Sequence, residues 1–308
     1  MIDLLVLVIA GGLGWSLARA ALCAVAATQE AVQSQRAVGL GMQLVAMSTT
    51  ATVLLGLSWW LADIGRLPAD GGGRLAVGLA AVTMALGAML NGGCYLGSVM
   101  YLGRGKANFL FSLVGIAVAA RVGLAERFGF AATPSLRPQP GNAALATAVL
   151  FGCVVLLLTV RALRRAHGTT LNPRLGQTLL AGVFAGALMI HAPGWGYGSL
   201  LNAVGHLGQV PFDLAQVAPA AALFAGAVAS CLAAGTWAPA WPTPIGALRC
   251  LSGGFVMETA AHCIPGGNDV LLLWVMPGLG GYGLYAYSLL LATMLLVWRF
   301  VGARASNV

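Results

Sequence analysis

Long apolar runs alternate with short polar connections along the whole chain. Nine of these runs are long enough, or nearly long enough, to cross a bilayer, which takes about 20 helical residues. The connections between them are too short to hold a soluble domain. The pattern predicts an all-α polytopic membrane protein with about nine transmembrane helices, at roughly 2–22, 38–62, 74–92, 107–124, 143–163, 176–192, 214–236, 245–264 and 281–301.

The composition supports a chain that lies in a lipid bilayer. Hydrophobic residues make up 59% of the sequence and charged residues only 8%, whereas soluble domains carry about 25% charged residues. The formal net charge is +8. Because the basic residues are sparse and confined to short connections, we attribute this charge to membrane topology and expect no nucleic-acid partner.

The distribution of basic residues predicts the orientation. If the N-terminus is outside, ten of the 16 basic residues fall on the inner side and five on the outer side. Positive charge concentrates on the cytoplasmic side of membrane proteins. We therefore predict a multi-pass protein of the bacterial inner membrane, with the N-terminus outside and the C-terminus in the cytoplasm. The inner set is Arg19, Arg36, Arg104, Lys106, Arg161, Arg164, Arg165, Arg174, Arg299 and Arg304.

One apolar run ends in a helix-breaking stretch, Asn91–Gly97, with Gly92, Gly93 and Cys94 at its centre. Glycine does not favour continued helix, so we expect a break there and a second short helix over 98–102. At an offset of 173 positions, Cys94 falls on Gly267 and Cys23 on Gly196.

The offset predicts two halves with re-entrant segments, which the alternating spans would place in inverted orientation. The first half is 1–142, a linking span and basic loop is 143–175, and the second half is 176–308. The run 176–192 is at the short end for a span. It therefore predicts a helix that breaks partway through the bilayer.

The two breaks are candidate walls of a transport path. A helix that restarts after a break exposes backbone N–H groups and the positive end of its dipole, and such ends bind anions. The alternatives are that glycines only permit close helix packing and that Asn268 only caps a helix. The predicted path residues at the breaks are Asn91, Gly92, Gly93, Gly266, Gly267 and Asn268.

The six cysteines show neither metal-ligand spacing nor the pattern of a disulfide framework. We expect no metal and no cofactor. Cys23 and Cys94 are candidate path residues because a thiol is a weak donor and a soft, polarizable group that suits a sulfur-bearing ligand. Cys263, close to the second break, is included with them. The alternative for each is a small buried hydrophobe.

Glu258 is the one acidic residue deep in a predicted span, with His262 four positions later. An intramembrane carboxylate is a functional candidate. Two interpretations remain open: a structural pair with His262 and a proton-coupled role.

Several of these residues together resemble the YeeE/YedE sulfur-transport family, whose members take up thiosulfate or related compounds. The resemblance rests on Arg19–Cys23, Gly87–Gly97, Pro193-Gly194, Gly253–Met257 and Pro265–Asp269. It implies an hourglass-shaped protein of nine spanning helices plus re-entrant ones, in which three cysteines relay thiosulfate by weak S–H···S contacts. Cys23 and Cys94 match two of them, and Gly267 stands at the third position. The resemblance also implies that a cytoplasmic sulfur-carrier partner would be a separate protein.

The sequence thus predicts a transporter, not an enzyme, that takes up a small sulfur-containing anion, with thiosulfate as the leading candidate. Two alternatives remain open. Another anion such as sulfite, sulfate or a selenium compound is carried or exported along the same path. A membrane sulfane-sulfur transferase with Cys94 as nucleophile would need a nearby base or cation.

Overall fold

The computed structural model describes residues 4–60, 67–68, 73–124, 136–137, 142–167, 172–192, 214–264 and 266–305. Nearly all of these residues are helical. Two short strands, β1 (Leu67–Pro68) and β2 (Leu136–Arg137), pair antiparallel. The helices are α1 (Leu4–Ala20), α2 (Ala24–Gln33), α3 (Val38–Trp60), α4 (Arg74–Asn91), α5 (Tyr95–Gly103), α6 (Asn108–Val122), α7 (Asn142–His167), α8 (Asn172–His191), α9 (Leu214–Ala233), α10 (Pro244–Ala261), α11 (Asn268–Val270, continuing as a π-helix over Leu271–Val275) and α12 (Gly281–Ala305).

The outer surface of the helices is apolar. Leu4, Leu150, Phe151 and Phe300 are each 66–73% exposed, and large side chains of this kind cannot form the surface of a soluble monomer. Six helical segments within the described residues are long and apolar enough to cross a membrane. The chain is therefore an all-α membrane protein, as the hydropathy pattern predicts.

Each of the nine predicted spans contains a helix, although α6, α9 and α10 are not among the six segments. The number of spans stays a prediction. The helix over 176–192 begins earlier than predicted, at Asn172, and runs unbroken for 20 residues to His191. Its predicted break within the bilayer stays a prediction. Pro173 lies in its first turn, where the missing N–H leaves no helical bond unmade. Pro193-Gly194 and Gly196 lie outside the described residues.

The offset of 173 residues is visible in the order of the helices. It carries α1 onto α8, α3 onto α9, α4 onto α10, α5 onto α11 and α6 onto α12. The equivalent of α2 falls outside the described residues, and α7 links the two series. The repeat that the sequence indicated from two short stretches therefore extends over the described helices of both halves.

The packing follows the same repeat. Helix α4 packs antiparallel against its equivalent α10, with Gly87 beside Met257 and Gly253 beside Asn91. The pair α4 and α12 is parallel, as is the repeat-equivalent pair α10 and α6. Antiparallel contact between equivalent helices is the geometry expected of an inverted repeat.

The helices form two bundles, and each draws on both halves of the sequence. We call α1, α3, α7, α8 and α9 the first bundle and α4, α6, α10 and α12 the second bundle. Helix α2 packs against α12, and α5 packs against α9 and α1, so these two short helices join the bundles. The sequence boundary near 142 is therefore not a boundary in space.

Glycines allow the close approach of the helices. A side chain at Gly14 would collide with the backbone of Leu223, and one at Gly115 would collide with that of Leu251. For glycines such as these, the packing interpretation of the sequence is confirmed.

Three described interruptions separate long helices from the short helices that follow. Ala21, before α2, has φ 54°, Gly92, after α4, has φ 77°, and Gly266, before α11, has φ 103°. The predicted break at Gly92-Gly93 is confirmed, and the helix after it begins at Tyr95. Interior backbone that leaves the helix needs protein partners within a membrane.

Candidate functional site

Two thiols meet in the buried interior, one after α1 of the first bundle and one after α4 of the second. Cys23 is the residue before α2 and Cys94 the residue before α5. Their Sγ atoms lie 3.7 Å apart, and both side chains are fully buried. The structure therefore brings together the two cysteines that the sequence analysis selected, although they are 71 positions apart.

A glycine makes room for this pair. A Cβ atom at Gly97, in the first turn of α5, would stand 2.5 Å from Cys23 Sγ and 3.8 Å from Cys94 Sγ. Any side chain at this position would displace the Cys23 thiol. The second glycine of the Gly-Gly-Cys block has a similar steric role, because a Cβ at Gly93 would crowd the rings of Phe109 and Tyr101.

Donors surround the Cys94 thiol. The backbone N–H of Ala24, the first residue of α2, donates to Cys94 Sγ over 3.3 Å. This N–H is one of the groups that a helix cannot satisfy internally. Because Cys23 and Cys94 precede helices of ten and nine residues, the positive ends of two helix dipoles lie at the thiol pair.

The second break meets the first at this point. The backbone N–H of Tyr95 donates to Oδ1 of Asn268 over 3.0 Å. The two residues are equivalent in the repeat, being 173 positions apart. The amide nitrogen Nδ2 of Asn268 is buried, lies close to the Cys94 thiol and makes no hydrogen bond of normal geometry. Asn268 therefore connects the two breaks and also presents an unused donor to the sulfur.

Asn91 fixes the first break. Its Nδ2 donates to the carbonyl of Gly93 over 2.6 Å and to Oγ of Ser98 over 3.2 Å. Gly92 is exposed, and a Cβ there would meet nothing within 4 Å. Gly92 is thus required for its positive φ and not because a side chain would collide with a neighbour. Asn91 stabilises the break through its two side-chain hydrogen bonds.

Gly267 occupies the position before α11 that Cys94 occupies before α5. A Cβ at Gly267 would lie 2.4 Å from Oδ1 of Asp269 and 3.0 Å from the Tyr95 ring. That Asp269 oxygen is buried without a hydrogen-bond partner. At the position where the resemblance expects a third thiol, this chain therefore has a glycine covered by a carboxylate.

Glu258 is 4% exposed and is bound by residues of both breaks. The Tyr95 hydroxyl donates to its Oε2, and Nδ1 of His262 lies 3.6 Å from its Oε1. The same His262 nitrogen is 2.9 Å from the Glu258 carbonyl. The predicted pairing of Glu258 with His262 is present, and Tyr95 is an additional partner that connects the carboxylate to the residue after Cys94.

The remaining predicted residues lie at the edge of this centre. Gly266 has a positive φ, and a Cβ there would collide with Val270. The Cys263 thiol, in the turn after α10, donates to the carbonyl of Thr259 near the end of that helix over 3.6 Å. Because this bond is local, the structure gives Cys263 a helix-capping contact and does not bring it to the Cys23–Cys94 pair.

Sequence reasoning missed two contacts in the site. Tyr95 was predicted only as a member of the stretch Asn91–Gly97, with no role for its side chain. Its hydroxyl donates to Glu258, which is 163 positions away in the sequence. Cys250, which was not among the predicted site residues, donates its thiol to the carbonyl of Asn91 over 3.5 Å at the end of α4. Neither contact has a local sequence signal, since both depend on how α10 packs against the first break.

Fold and site together define an all-α membrane protein with interrupted helices that converge on a buried thiol pair. Among the described residues, no three His, Cys, Asp or Glu side chains come together as a metal site. A scan against protein-family models found no matching family, and a search of curated proteins found no matching sequence.

Proposed function

We propose that this protein is an inner-membrane transporter that takes up a small sulfur-containing anion, with thiosulfate as the leading candidate. The observation that carries the proposal is the contact between the two breaks around the Cys23–Cys94 pair. Interrupted helices that meet between inverted repeats are the usual position of a transporter's binding site. A structural role alone would not need irregular backbone from both halves at one buried point.

The donors at this point favour an anion. Several hydrogen-bond donors point to the same small region. They are the N-terminal ends of α2 and α5, which include the Ala24 N–H, and the unpaired Nδ2 of Asn268. An anion that loses water inside a membrane needs such donors, because an unpaired charge there is costly. Within the described residues, Lys and Arg do not appear among the groups bonded to the pair, so the anion is held without a fixed cation.

The thiols favour sulfur over oxygen at the point of contact. Cys94 already donates to Cys23 through an S–H···S contact of 3.7 Å. A terminal sulfur of thiosulfate is of the same soft, polarizable kind and accepts the same weak bond. Weak bonds let the anion leave as easily as it binds. The resemblance to the YeeE/YedE family supports the same substrate class.

The orientation belongs to the same proposal. With the N-terminus outside, the Arg161–Arg174 cluster lies in the cytoplasm. In this orientation α4 and α10 cross the membrane in opposite directions, as their antiparallel packing requires. Nine spans with the two breaks entering from opposite faces complete this topology.

The test is uptake of labelled thiosulfate into membrane vesicles. We expect Cys23→Ala and Cys94→Ala each to lower uptake at least about tenfold, the effect of losing about 1.4 kcal/mol in the pathway. Cys153→Ala is the matched control, because that thiol is exposed and lies 3.8 Å from Oγ1 of Thr52, away from the pair. Uptake at the wild-type level by both pair variants would reject the proposal.

A second candidate substrate is favoured by one observation. Gly267 and the Asp269 carboxylate replace the third thiol, so the path has two sulfur contacts rather than three. An anion that needs fewer soft contacts, such as sulfite or sulfate, would pass such a path. Competition of labelled thiosulfate uptake by sulfite, sulfate and selenium compounds identifies the preferred anion.

A further inference from the structure

The buried carboxylate of Glu258 lies between two polar side chains, Tyr95 and His262, in an arrangement that the anion path does not itself require. One carboxylate oxygen accepts from the Tyr95 hydroxyl, and the other lies 3.6 Å from Nδ1 of His262. The arrangement runs from the end of α10, beside the second break, to the first residue of α5. It thus connects both breaks to one titratable group in the membrane interior.

A carboxylate beside an anion path is unfavourable when both are charged. Glu258 is 4% exposed, so little water screens it, and like charges repel strongly where the local dielectric is low. Proton binding by Glu258 removes this repulsion. Passage of an anion and protonation of this carboxylate therefore favour each other, which is the thermodynamic requirement for coupling.

The geometry also provides a way for each break to respond. Tyr95 is the residue after Cys94, and its backbone N–H holds Asn268 Oδ1 at 3.0 Å. A neutral Glu258 accepts a weaker hydrogen bond from the Tyr95 hydroxyl than an ionised one does. A change of charge at Glu258 therefore alters the position of the residue that joins the two breaks.

We propose that Glu258 is the proton-binding residue of a proton-coupled anion carrier. The proposal rests on the proposed transport function. Each transported anion enters with at least one proton from the outer side. The proton binds to a Glu258 carboxylate oxygen and leaves to the cytoplasm when the anion leaves, so that only O–H bonds form and break. His262, which is 14% exposed at its side chain, is the residue through which the proton reaches Glu258.

Other titratable or charged groups lie on α10 and on the segments packed against it, and the carboxylates among them could take the same role. On α10 and the turn after it they are Arg249, Cys250, His262 and Cys263; on the segments packed against it they are Tyr95, Cys94 and Asp269, with Arg121 on α6 and Arg74 at the far end of α4. Asp269 is the nearest rival, because it is also a buried carboxylate at the second break. The experiment must therefore separate Glu258 from Asp269.

The experiment uses the full-length protein in proteoliposomes with the membrane potential clamped at zero. Uptake of labelled thiosulfate is measured with and without an inward proton gradient, and an internal dye records proton entry. Exchange of labelled for unlabelled thiosulfate at equilibrium is measured in parallel. Exchange needs no net release of the proton, so it separates coupling from binding and folding.

For the wild type we expect protons to enter together with thiosulfate. We expect the inward proton gradient to raise uptake at least about fivefold, which corresponds to a driving force of less than about 1.4 kcal/mol. Glu258→Gln, which mimics the protonated acid, retains exchange within about twofold and loses the stimulation. The matched variant Asp269→Asn keeps the stimulation.

Three results overturn the inference. They are wild-type uptake without proton entry, a Glu258→Gln variant that is still stimulated by the gradient, and loss of stimulation in Asp269→Asn alone. If Glu258→Gln loses exchange as well, Glu258→Asp decides the question: retained stimulation supports the proton site, and its absence rejects it. Wild-type protein that moves no thiosulfate under any condition rejects the proposed function itself.

Discussion

The two breaks share one backbone design and differ in chemistry. Each ends a long helix, turns through a glycine with positive φ and restarts as a short helix whose preceding residue is extended. The first break carries a thiol in contact with a second thiol, whereas the second carries Gly267 beneath the Asp269 carboxylate. The repeat therefore preserves the backbone shape of the site, while single side chains determine the chemistry that each half contributes to it.

The largest expected effect follows from breaking the thiol contact without removing either thiol. Gly97→Ala places a methyl group 2.5 Å from Cys23 Sγ, so one thiol must move away. We expect uptake of the transported anion to fall at least about tenfold, as for the cysteine variants, because a shift of about 1 Å in a positioned group has effects of this size. Labelled-anion uptake, normalised to folded protein by gel filtration, measures it. Unchanged uptake would mean that the contact is incidental.

An intermediate effect is expected from making the two breaks alike. Gly267→Cys introduces the missing thiol, but its Cβ would lie 2.4 Å from Asp269 Oδ1. We expect uptake to fall about fivefold, since overpacking costs on the order of 1–3 kcal/mol. Combining it with Asp269→Ala removes the collision, and a double-mutant cycle should show recovery to near the level of Asp269→Ala alone. If the double variant is as poor as Gly267→Cys, the carboxylate is not what excludes the thiol.

The smallest effect is expected at the turn of the first break. Gly92 has φ 77° with open space at its Cβ position, so Gly92→Ala costs only the left-handed backbone, about 1–2 kcal/mol. Gly92→Asn should cost less, because Asn tolerates this conformation. Thermal unfolding in detergent measures both, and we expect uptake to change by less than about twofold. A larger loss for Asn than for Ala would assign Gly92 a contact with the anion.

The main features of the fold follow from local sequence signals. Apolar runs located the long helices of the described residues, and Gly92-Gly93 located the first break, because both depend on nearby residues. The boundary of α8 was missed because Pro173 interrupts the apolar run without interrupting the helix. A proline in the first turn of a helix is easily mistaken for a boundary.

The site was only partly predictable. Cys23, Cys94 and Asn268 were selected from breaks and from soft chemistry, and the structure brings them together. The contacts of Tyr95 with Glu258 and of Cys250 with Asn91 were not predicted, because each joins residues more than 150 positions apart. Such contacts depend on the packing of α4 against α10, which a single sequence does not encode in any local pattern.

The origin of the two thiols in different bundles has a mechanical consequence. Cys23 follows α1 of the first bundle, where Arg174 of α8 holds the carbonyl of Ala20 over 2.9 Å, and Cys94 follows α4 of the second bundle. If the bundles move relative to each other during transport, the distance between the two sulfur atoms changes with that motion. A covalent S–S link between the two would then lock the carrier in a single state, and reduction would set it free.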